Sequence, residues 1–463
     1  MRWVALSLGL WVASSAVQAE DLLGVYERAV ANDPQIREAD ANRLAAREAK
    51  PQAFAALLPQ LSGSASYGKD KTDGLSRSTF VLNGVLTPSD RSGKGDTTNK
   101  RWSVDLRQSV FGWQNWVSLK RADHEVAQAE ADYAAAQQDL ISRVAQRYFD
   151  VLAAEDNVEA QGSAFDSISR QLEQADKRFE VGLIAITDVQ EAKAAHDAAA
   201  AAVIAAKRQL ATTQELLREY TAELSPGLAK PAVTMPLKSP EPADQQKWVD
   251  VSMEQNLTLL SSRLGADIAR DNVRSAFGGH VPSVDLVASR GNARSDSRTD
   301  LKSGAISSGT SDQDDTSYSV QLSVPLFSGG GTQSRVRQSE YQWRAARERL
   351  TRVSRQTERL ARDAYLGVNS EISRVQALRQ ALESSQTALK ATEAGYEVGT
   401  RTAVDVLDAR KTLVQAQTNY SRSRYDYILN VLNLKLAAGT LDRATVEEIK
   451  GWLEKPAAAA PPK

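Results

Sequence analysis

The chain has 463 residues, with 57 basic and 58 acidic side chains, so it carries no excess of positive charge that would indicate nucleic-acid binding. It contains no cysteine, which excludes a thiol nucleophile, an iron–sulfur site, a cysteine zinc site and a lipidated cysteine. It has only three histidines, His124, His196 and His280, which disfavours a multi-histidine metal site. We therefore expect no cofactor and no metal.

The first 19 residues resemble a signal peptide. Arg2 precedes an apolar run from Trp3 to Val12, and small residues then lead to Val17-Gln18-Ala19, a pattern typical of a signal-peptidase site. A buried N-terminal helix is the alternative interpretation. After Ala19 no apolar stretch approaches the roughly 18 residues of a transmembrane helix. The sequence thus predicts an exported protein without a helical membrane span.

Helical and strand-like patterns follow one another in the first half of the chain. Residues 21–57 are rich in Ala, Arg, Glu and Leu and predict a helix. Two segments of alternating polarity come next, separated by a predicted polar loop at 69–100. Apolar residues then recur every three or four positions over residues 113–180, which predicts one coiled-coil helix about 100 Å long. A turn at Gly182 leads into a shorter return helix.

The second half follows the same plan. The segment FEVGLIAITDVQE at 179–191 aligns with YEVGTRTAVDVLD at 396–408, and a predicted helix (244–277), polar loop (291–316) and long helix (331–397) recur in the same order. We interpret this as an internal duplication. The predicted domains are a signal peptide at 1–19, a first repeat at 20–224, a proline-rich connector at 225–243, a second repeat at 244–438, and a C-terminal segment at 439–463 with a disordered tail.

The alternating segments predict four strands per chain. Trp102, Val104 and Leu106 alternate with polar residues, as do Tyr318 and Val320. This pattern fits both a half-buried sheet in a soluble domain and an outer-membrane barrel with its apolar side toward lipid. The long helices offer no second layer to cover the sheet, which favours the barrel. Because a membrane barrel must close and needs about eight strands or more, four strands predict an oligomer. A 12-stranded trimer is the natural candidate, although a dimer or a tetramer is also allowed.

Three short motifs carry a resemblance to a known family. AITDVQ at 185–190, AGYEVGTRTAVDVLDA at 394–409 and SVPLFSGG at 323–330 resemble the TolC-type channels of the outer membrane factor family. The resemblance implies a mixed α and β fold, in which a trimeric 12-stranded outer-membrane β-barrel is continued by a long α-helical coiled-coil tunnel in the periplasm. The polar loops at 69–100 and 291–316 would then face outside.

The resemblance also implies function and partners. It predicts a passive, gated exit duct of tripartite efflux pumps and type I secretion systems, located in the cell outer membrane and exporting drugs, small molecules or proteins. The expected partners are two further copies of the chain, a periplasmic adaptor (membrane fusion protein), an inner-membrane transporter of the RND, ABC or MFS type, and outer-membrane lipid. The cargo and the cognate pump do not follow from the sequence.

The two glycine turns are the first candidate site. Gly182 and Gly399 are predicted to end long helices, where a positive φ is needed. The family resemblance implies that the exposed turns dock the adaptor. The residues assigned to docking are Val181, Gly182, Leu183, Val398, Gly399 and Thr400.

Two aspartates and a set of latch residues form the second candidate site. Asp405 and Asp408 are spaced i, i+3 and share a helix face, so in a trimer they would form stacked carboxylate rings that select cations. A solvated outer face and, for Asp405, a capping box with Thr402 are the alternative roles. The resemblance further implies a closed-state latch in which Arg401 and Tyr396 bind Thr187 and Asp188 of the neighbouring hairpin.

Two other functions compete with the channel. A periplasmic coiled-coil scaffold or interaction protein without a pore would fractionate as a soluble protein, whereas a channel would require detergent. An enzyme is less favoured, because no base, nucleophile or metal cluster accompanies the paired carboxylates of Asp405 and Asp408.

Overall fold

The computed structural model describes residues 20–454 except residues 226, 233, 302 and 303, with only the backbone described at 75–78, 80, 82 and 87–92. The predicted signal peptide at 1–19 and the tail at 455–463 lie outside the described residues. The chain divides into two compact units. The first joins the residues up to Arg43 with Ala129–Arg263 and the residues from Arg349 onward, and the second joins Leu44–Gln128 with Leu264–Glu348.

Ten α-helices lie in the described part of the chain. They are α1 (Leu22–Asn32), α2 (Pro34–Arg47), α3 (Ala49–Ala55), α4 (Trp113–Glu180), α5 (Ile186–Thr221), α6 (Gln245–Gln255), α7 (Leu257–Phe277), α8 (Gly331–Glu397), α9 (Ala403–Ala438) and α10 (Arg443–Lys450). The long helices predicted at 113–180 and 331–397 are confirmed as α4 and α8. None of the helices in the described residues is both long and apolar enough to cross a membrane.

The prediction of single helices at 21–57 and 244–277 is wrong, because each region is interrupted. Asp33 leaves the helical conformation with ψ 118°, since the ring of Pro34 disfavours a helical residue before it. Further along, Pro51 has no N–H to donate to the carbonyl of Arg47, where α2 ends. Between α6 and α7, Asn256 has ψ 119° and its side-chain oxygen accepts a hydrogen bond from Leu259 N at 3.0 Å, which caps α7.

Four strands form one antiparallel sheet in the order of the sequence: β1 (Gln60–Leu82), β2 (Val85–Phe111), β3 (Ser283–Leu301) and β4 (Ile306–Ser323). The prediction of polar loops at 69–100 and 291–316 is wrong, because most of these residues continue the strands. Strands β1 and β2 pair without a break from Gln60↔Arg107 to Leu82↔Val85. Backbone hydrogen bonds hold the two strands together whatever their side chains are. The pairing therefore imposes no apolar period on the sequence.

The β1–β2 hairpin closes at Asn83-Gly84. Both residues have positive φ, 52° and 77°, as a two-residue type I′ turn requires. Asn-Gly is the pair that favours this turn, so the signal for a hairpin is present inside the segment that was expected to be a loop.

The predicted alternation of apolar and polar side chains is confirmed near the helix-proximal ends of the strands. On one face, Arg107 Nη2 donates a hydrogen bond to Asp285 Oδ2 at 2.8 Å, and Ser103 Oγ and Ser289 Oγ donate to the Asp105 carboxylate at 2.8 and 2.7 Å. The other face is apolar and exposed in the single chain. Its members are Leu61, Tyr67, Trp102, Val104, Leu106, Leu286, Tyr318, Val320 and Leu322.

The first unit has an aromatic core that fixes the connector between the two halves. Tyr148 of α4 and Tyr427 of α9 are fully buried. The hydroxyl of Tyr148 donates to Ala229 O at 2.7 Å, and that of Tyr427 donates to Lys238 O at 3.0 Å. The proline-rich connector therefore follows an irregular but packed path. Helix α10 in the C-terminal segment was not predicted, although its N-cap Asp442 accepts a hydrogen bond from Thr445 N at 2.9 Å.

Candidate functional site at the helical hairpin turns

The first turn joins α4 to α5 through a glycine with positive φ. Gly182 has φ 73°, its N–H donates to Phe179 O at 2.8 Å, and Leu183 N donates to Arg178 O at 2.8 Å. These paired bonds satisfy the last carbonyls of α4 and explain why glycine is needed. Val181 and Leu183 are about 70% and 73% exposed, as the prediction of a docking surface requires.

The second turn joins α8 to α9 in the same way. Gly399 has φ 81°, and its N–H donates to Tyr396 O at 3.1 Å. Both the N–H and the hydroxyl of Thr400 donate to Gly395 O, at 2.9 and 3.0 Å. Val398 is 76% exposed. Both turns thus present exposed apolar side chains on a hydrogen-bonded backbone.

A small apolar cluster lies directly behind the first turn. Val189 of α5, one residue after Asp188, packs with Ala175 of α4 and with Ala192. Val406, which the sequence repeat aligns with Val189, is also buried. Val189 and Val406 therefore have a packing role. The polar residues beside them, which include Asp188 and Asp405, are available for other roles.

Asp405 completes the capping box of helix α9, whose N-cap residue is Thr402. Its carboxylate accepts hydrogen bonds from Thr402 N at 2.9 Å and from Thr402 Oγ1 at 3.0 Å, while its own N–H donates to Thr402 Oγ1 at 3.2 Å. This reciprocal pair is the capping box that the sequence predicted. The hydrogen bonds from Thr402, followed by the positive charge of Arg401, hold the pKa of Asp405 below its ordinary value.

Asp408 has no capping role. It lies one turn further along α9 and is exposed, and its backbone carbonyl accepts a hydrogen bond from Thr412 Oγ1 at 2.9 Å. Asp405 and Asp408 are on adjacent turns of one helix, as predicted. Whether they form rings depends on the assembly of chains, so the gate stays a prediction.

The latch residues are not all brought together in one chain. Among the described residues no hydrogen bond or ion pair joins Arg401 or Tyr396 to Thr187 or Asp188, so the latch stays a prediction about the assembled protein. Arg401 lies across the end of α8, because its N–H donates to Gly395 O at 3.2 Å. A Cβ at Gly395 would come within 2.8 Å of Arg401 Cγ, so glycine at this position makes room for the arginine side chain.

Tyr396 has a partner that the sequence does not predict. The guanidinium carbon of Arg178 lies 5.4 Å from the centre of the Tyr396 ring, within the range of a cation–π interaction. Arg178 belongs to the last turn of α4 and Tyr396 to the last turn of α8, so the contact joins the two hairpins. No local sequence pattern signals it, because the two residues belong to different halves of the chain.

Comparison with known proteins identifies the class. A profile described as "Outer membrane efflux protein" matches residues 25–223 and 248–440, and the chain belongs to this family. It is therefore an outer-membrane exit duct, as the sequence resemblance predicted. The poreless periplasmic scaffold is not supported.

Curated relatives place the chain more closely. It is 37% identical over 451 residues to the outer membrane protein TolC of Vibrio cholerae, with 97% of each chain covered. The TolC of Escherichia coli K12 is 35% identical over 461 residues, covering 99% of this chain and 90% of the relative. The alkaline protease secretion protein AprF of Pseudomonas aeruginosa is 28% identical over 449 residues, covering 96% and 90%.

Solved structures share the fold at lower sequence identity. The outer membrane protein VceC of Vibrio cholerae superposes with a TM-score of 0.71 at 20% identity, covering 90% of this chain and 96% of that one. The CmeC outer membrane channel of Campylobacter jejuni gives a TM-score of 0.70 at 18% identity, covering 93% and 88%. The mixed helical and sheet fold is therefore that of outer-membrane channels.

Proposed function

We propose that three copies of the chain close a 12-stranded barrel in the outer membrane and continue it as a helical tunnel in the periplasm. The observation that carries this proposal is the single four-stranded sheet, whose outer strands β1 and β4 have one neighbour each in the described chain. Its apolar face is exposed, with Tyr318 83% accessible. In hydrocarbon both the edges and this face need partners or lipid, and a closed ring of strands provides them.

The two halves of the chain, 20–224 and 244–438, would each supply one hairpin of strands and one helical hairpin as structural repeats. With three copies, the six helical hairpins would surround the tunnel and place their glycine turns at its periplasmic end. The exposed turn residues Val181, Leu183 and Val398 would then meet a periplasmic adaptor, which in turn joins an inner-membrane transporter of the RND, ABC or MFS type.

The duct would carry its cargo passively and perform no catalysis. The name of the relative AprF refers to secretion of a protease, and the family name refers to efflux. These names support a role for this chain in both type I secretion and efflux of small molecules.

The periplasmic end would be gated by the aspartates and the latch. Asp405 and Asp408 from each chain would form two stacked carboxylate rings that concentrate cations. Arg401 and Tyr396 would hold the ring closed by binding Thr187 and Asp188 of the neighbouring hairpin, since a guanidinium and a carboxylate form a strong charge-assisted pair.

The test is the behaviour of the purified protein. We expect heat-sensitive trimers in detergent that conduct ions across planar lipid bilayers. A monomer recovered from the soluble periplasmic fraction would contradict the barrel, and a trimer that never conducts would contradict the duct.

A further inference from the structure

We propose that Arg178 is a positioning residue of the closed gate, holding the ring of Tyr396 so that its hydroxyl is presented to the latch. The proposal rests on the gate function proposed above and extends it to a residue on the first hairpin. The observation is the guanidinium of Arg178 over the Tyr396 ring, 5.4 Å from the ring centre.

Both residues project from backbone that builds the turns. The carbonyl of Arg178 accepts the hydrogen bond from Leu183 N at 2.8 Å, and the carbonyl of Tyr396 accepts that from Gly399 N at 3.1 Å. The positions of the two Cα atoms are therefore fixed by the same bonds that close the hairpins. A contact between these side chains ties one turn to the other with little intervening flexible chain.

The neighbouring basic residue has a different partner. Lys177 Nζ pairs with Glu173 Oε1 at 2.5 Å on the same helix, and both side chains are exposed. Arg178 is half-buried and faces the second hairpin. The last turn of α4 thus carries two cations, of which one makes a local surface pair and the other reaches across to Tyr396. Lys177 is consequently a matched control for the charge of Arg178.

The contact would act on the latch through Tyr396. A cation over the ring face attracts the π electrons and limits the ring to orientations that keep it beneath the guanidinium. It also withdraws electron density from the phenol, which makes the hydroxyl a better hydrogen-bond donor to a carboxylate such as Asp188. Removing the cation should therefore weaken the latch through its effect on Tyr396.

The experiment is a double-mutant cycle on the full-length channel in planar bilayers, read as the fraction of time open. Arg178→Gln should raise the open-to-closed ratio by about two- to fivefold for each copy of the cation–π pair that it removes. In a Tyr396→Phe background, which keeps the ring face but has no hydroxyl to present to the latch, Arg178→Gln should have little further effect. In a Tyr396→Leu background, which has no ring, Arg178→Gln should have no further effect.

Two controls separate the cation–π pair from general effects of charge. Lys177→Gln should leave the open fraction unchanged, and Arg178→Lys, which keeps a cation, should retain most of the closed state. The inference is overturned if Arg178→Gln has no effect in the parent protein, if its effect is the same with Tyr396→Leu, or if Lys177→Gln matches it.

The variant Arg401→Ser tells this inference apart from the gate on which it rests. If Arg401→Ser leaves the closed channel intact, the proposed latch is wrong and the role of Arg178 fails with it. If Arg401→Ser opens the channel while the effect of Arg178→Gln is independent of residue 396, the latch stands and only the role of Arg178 is wrong.

Discussion

Thr402 and Asp405 exchange hydrogen bonds across the first turn of α9, so the carboxylate proposed for the gate is also half of the capping box of its own helix. Asp408, one turn later, shares the proposed gate role without the cap. The two aspartates therefore separate an electrostatic role from a structural one within a single turn of helix. Variants of Asp405 and Asp408 can therefore be compared to tell the two roles apart.

Asp408→Ala should reduce cation preference and weaken block by multivalent cations without lowering thermal stability. Asp405→Ala should have the same effect on selectivity and, in addition, loosen the turn by removing the cap. The measurements are reversal potentials in planar bilayers and proteolytic sensitivity of the hairpin. Thr402→Val is the control, since it weakens the cap and keeps both charges. Unchanged selectivity in the double alanine variant would mean that both carboxylates face outward.

The charge of Asp405 should be lost only at a pH below the ordinary carboxyl pKa. Its pKa is lowered in the folded protein, so the stabilisation by the cap is present above the ordinary carboxyl value, near 3.8, and is lost as the pH falls through the lower folded value. In an Asp408→Asn channel, which leaves Asp405 as the gate carboxylate, cation preference should persist down to about pH 4.

Adding Thr402→Val removes the hydroxyl that donates to the carboxylate, so the pH at which selectivity is lost should rise. The measurement is the reversal potential in a series of buffers from pH 7 to pH 3. Loss of selectivity in the Asp408→Asn channel already above pH 5 would show that the residual preference comes from other groups.

The sequence predicted best those features whose cause is local. The ends of α4 and α8 were correct because an apolar period of three and four residues stops at a glycine turn, and the capping box of Thr402 and Asp405 lies within four residues. The strands beyond residue 69 were missed because their pairing depends on backbone hydrogen bonds with a partner strand. Arg178 and Tyr396 belong to different halves of the chain, so no local sequence signal could reveal their contact.

Two helix ends provide a stability test. Gly439 ends α9 with φ 75°, and a Cβ there would lie 2.3 Å from the carbonyl oxygen of Gln255. Ala222 ends α5 with φ 63°, a conformation that costs an alanine roughly 1–2 kcal/mol. Ala222→Gly should therefore stabilise the protein by about 1 kcal/mol.

Gly439→Ala should instead destabilise the protein by more than about 2 kcal/mol, since backbone strain and a clash with the backbone add. The measurement is the temperature at which the detergent-solubilised protein loses its native mobility. Gly399→Ala serves as a comparison, because its φ is also positive but a Cβ there would meet no atom within 4 Å. If Gly439→Ala and Gly399→Ala cost the same, the clash with Gln255 is relieved at no cost.

The latch prediction concerns Arg401. Arg401→Ser should leave the protein folded but make the closed channel leaky, since the side chain is exposed and lies outside the buried core. A charge-assisted hydrogen bond contributes roughly 1.5–3 kcal/mol, so losing one in each chain of a trimer could invert a closed–open equilibrium. Adding Tyr396→Phe should increase the leak, because it removes the second proposed donor and keeps the ring.

The readouts for the latch are single-channel conductance and the sensitivity of cells to a large antibiotic that the outer membrane normally excludes. Lys411→Ser is the matched control, because Lys411 is a cation that is exposed, like Arg401, and lies on the same helical hairpin. Its loss removes the same charge from the region without touching the proposed latch, so the closed channel should stay tight. If the double variant of Arg401 and Tyr396 conducts and excludes like the parent, the latch is wrongly assigned. The proposals of the aspartate rings and of the barrel would be unaffected, because other experiments test them.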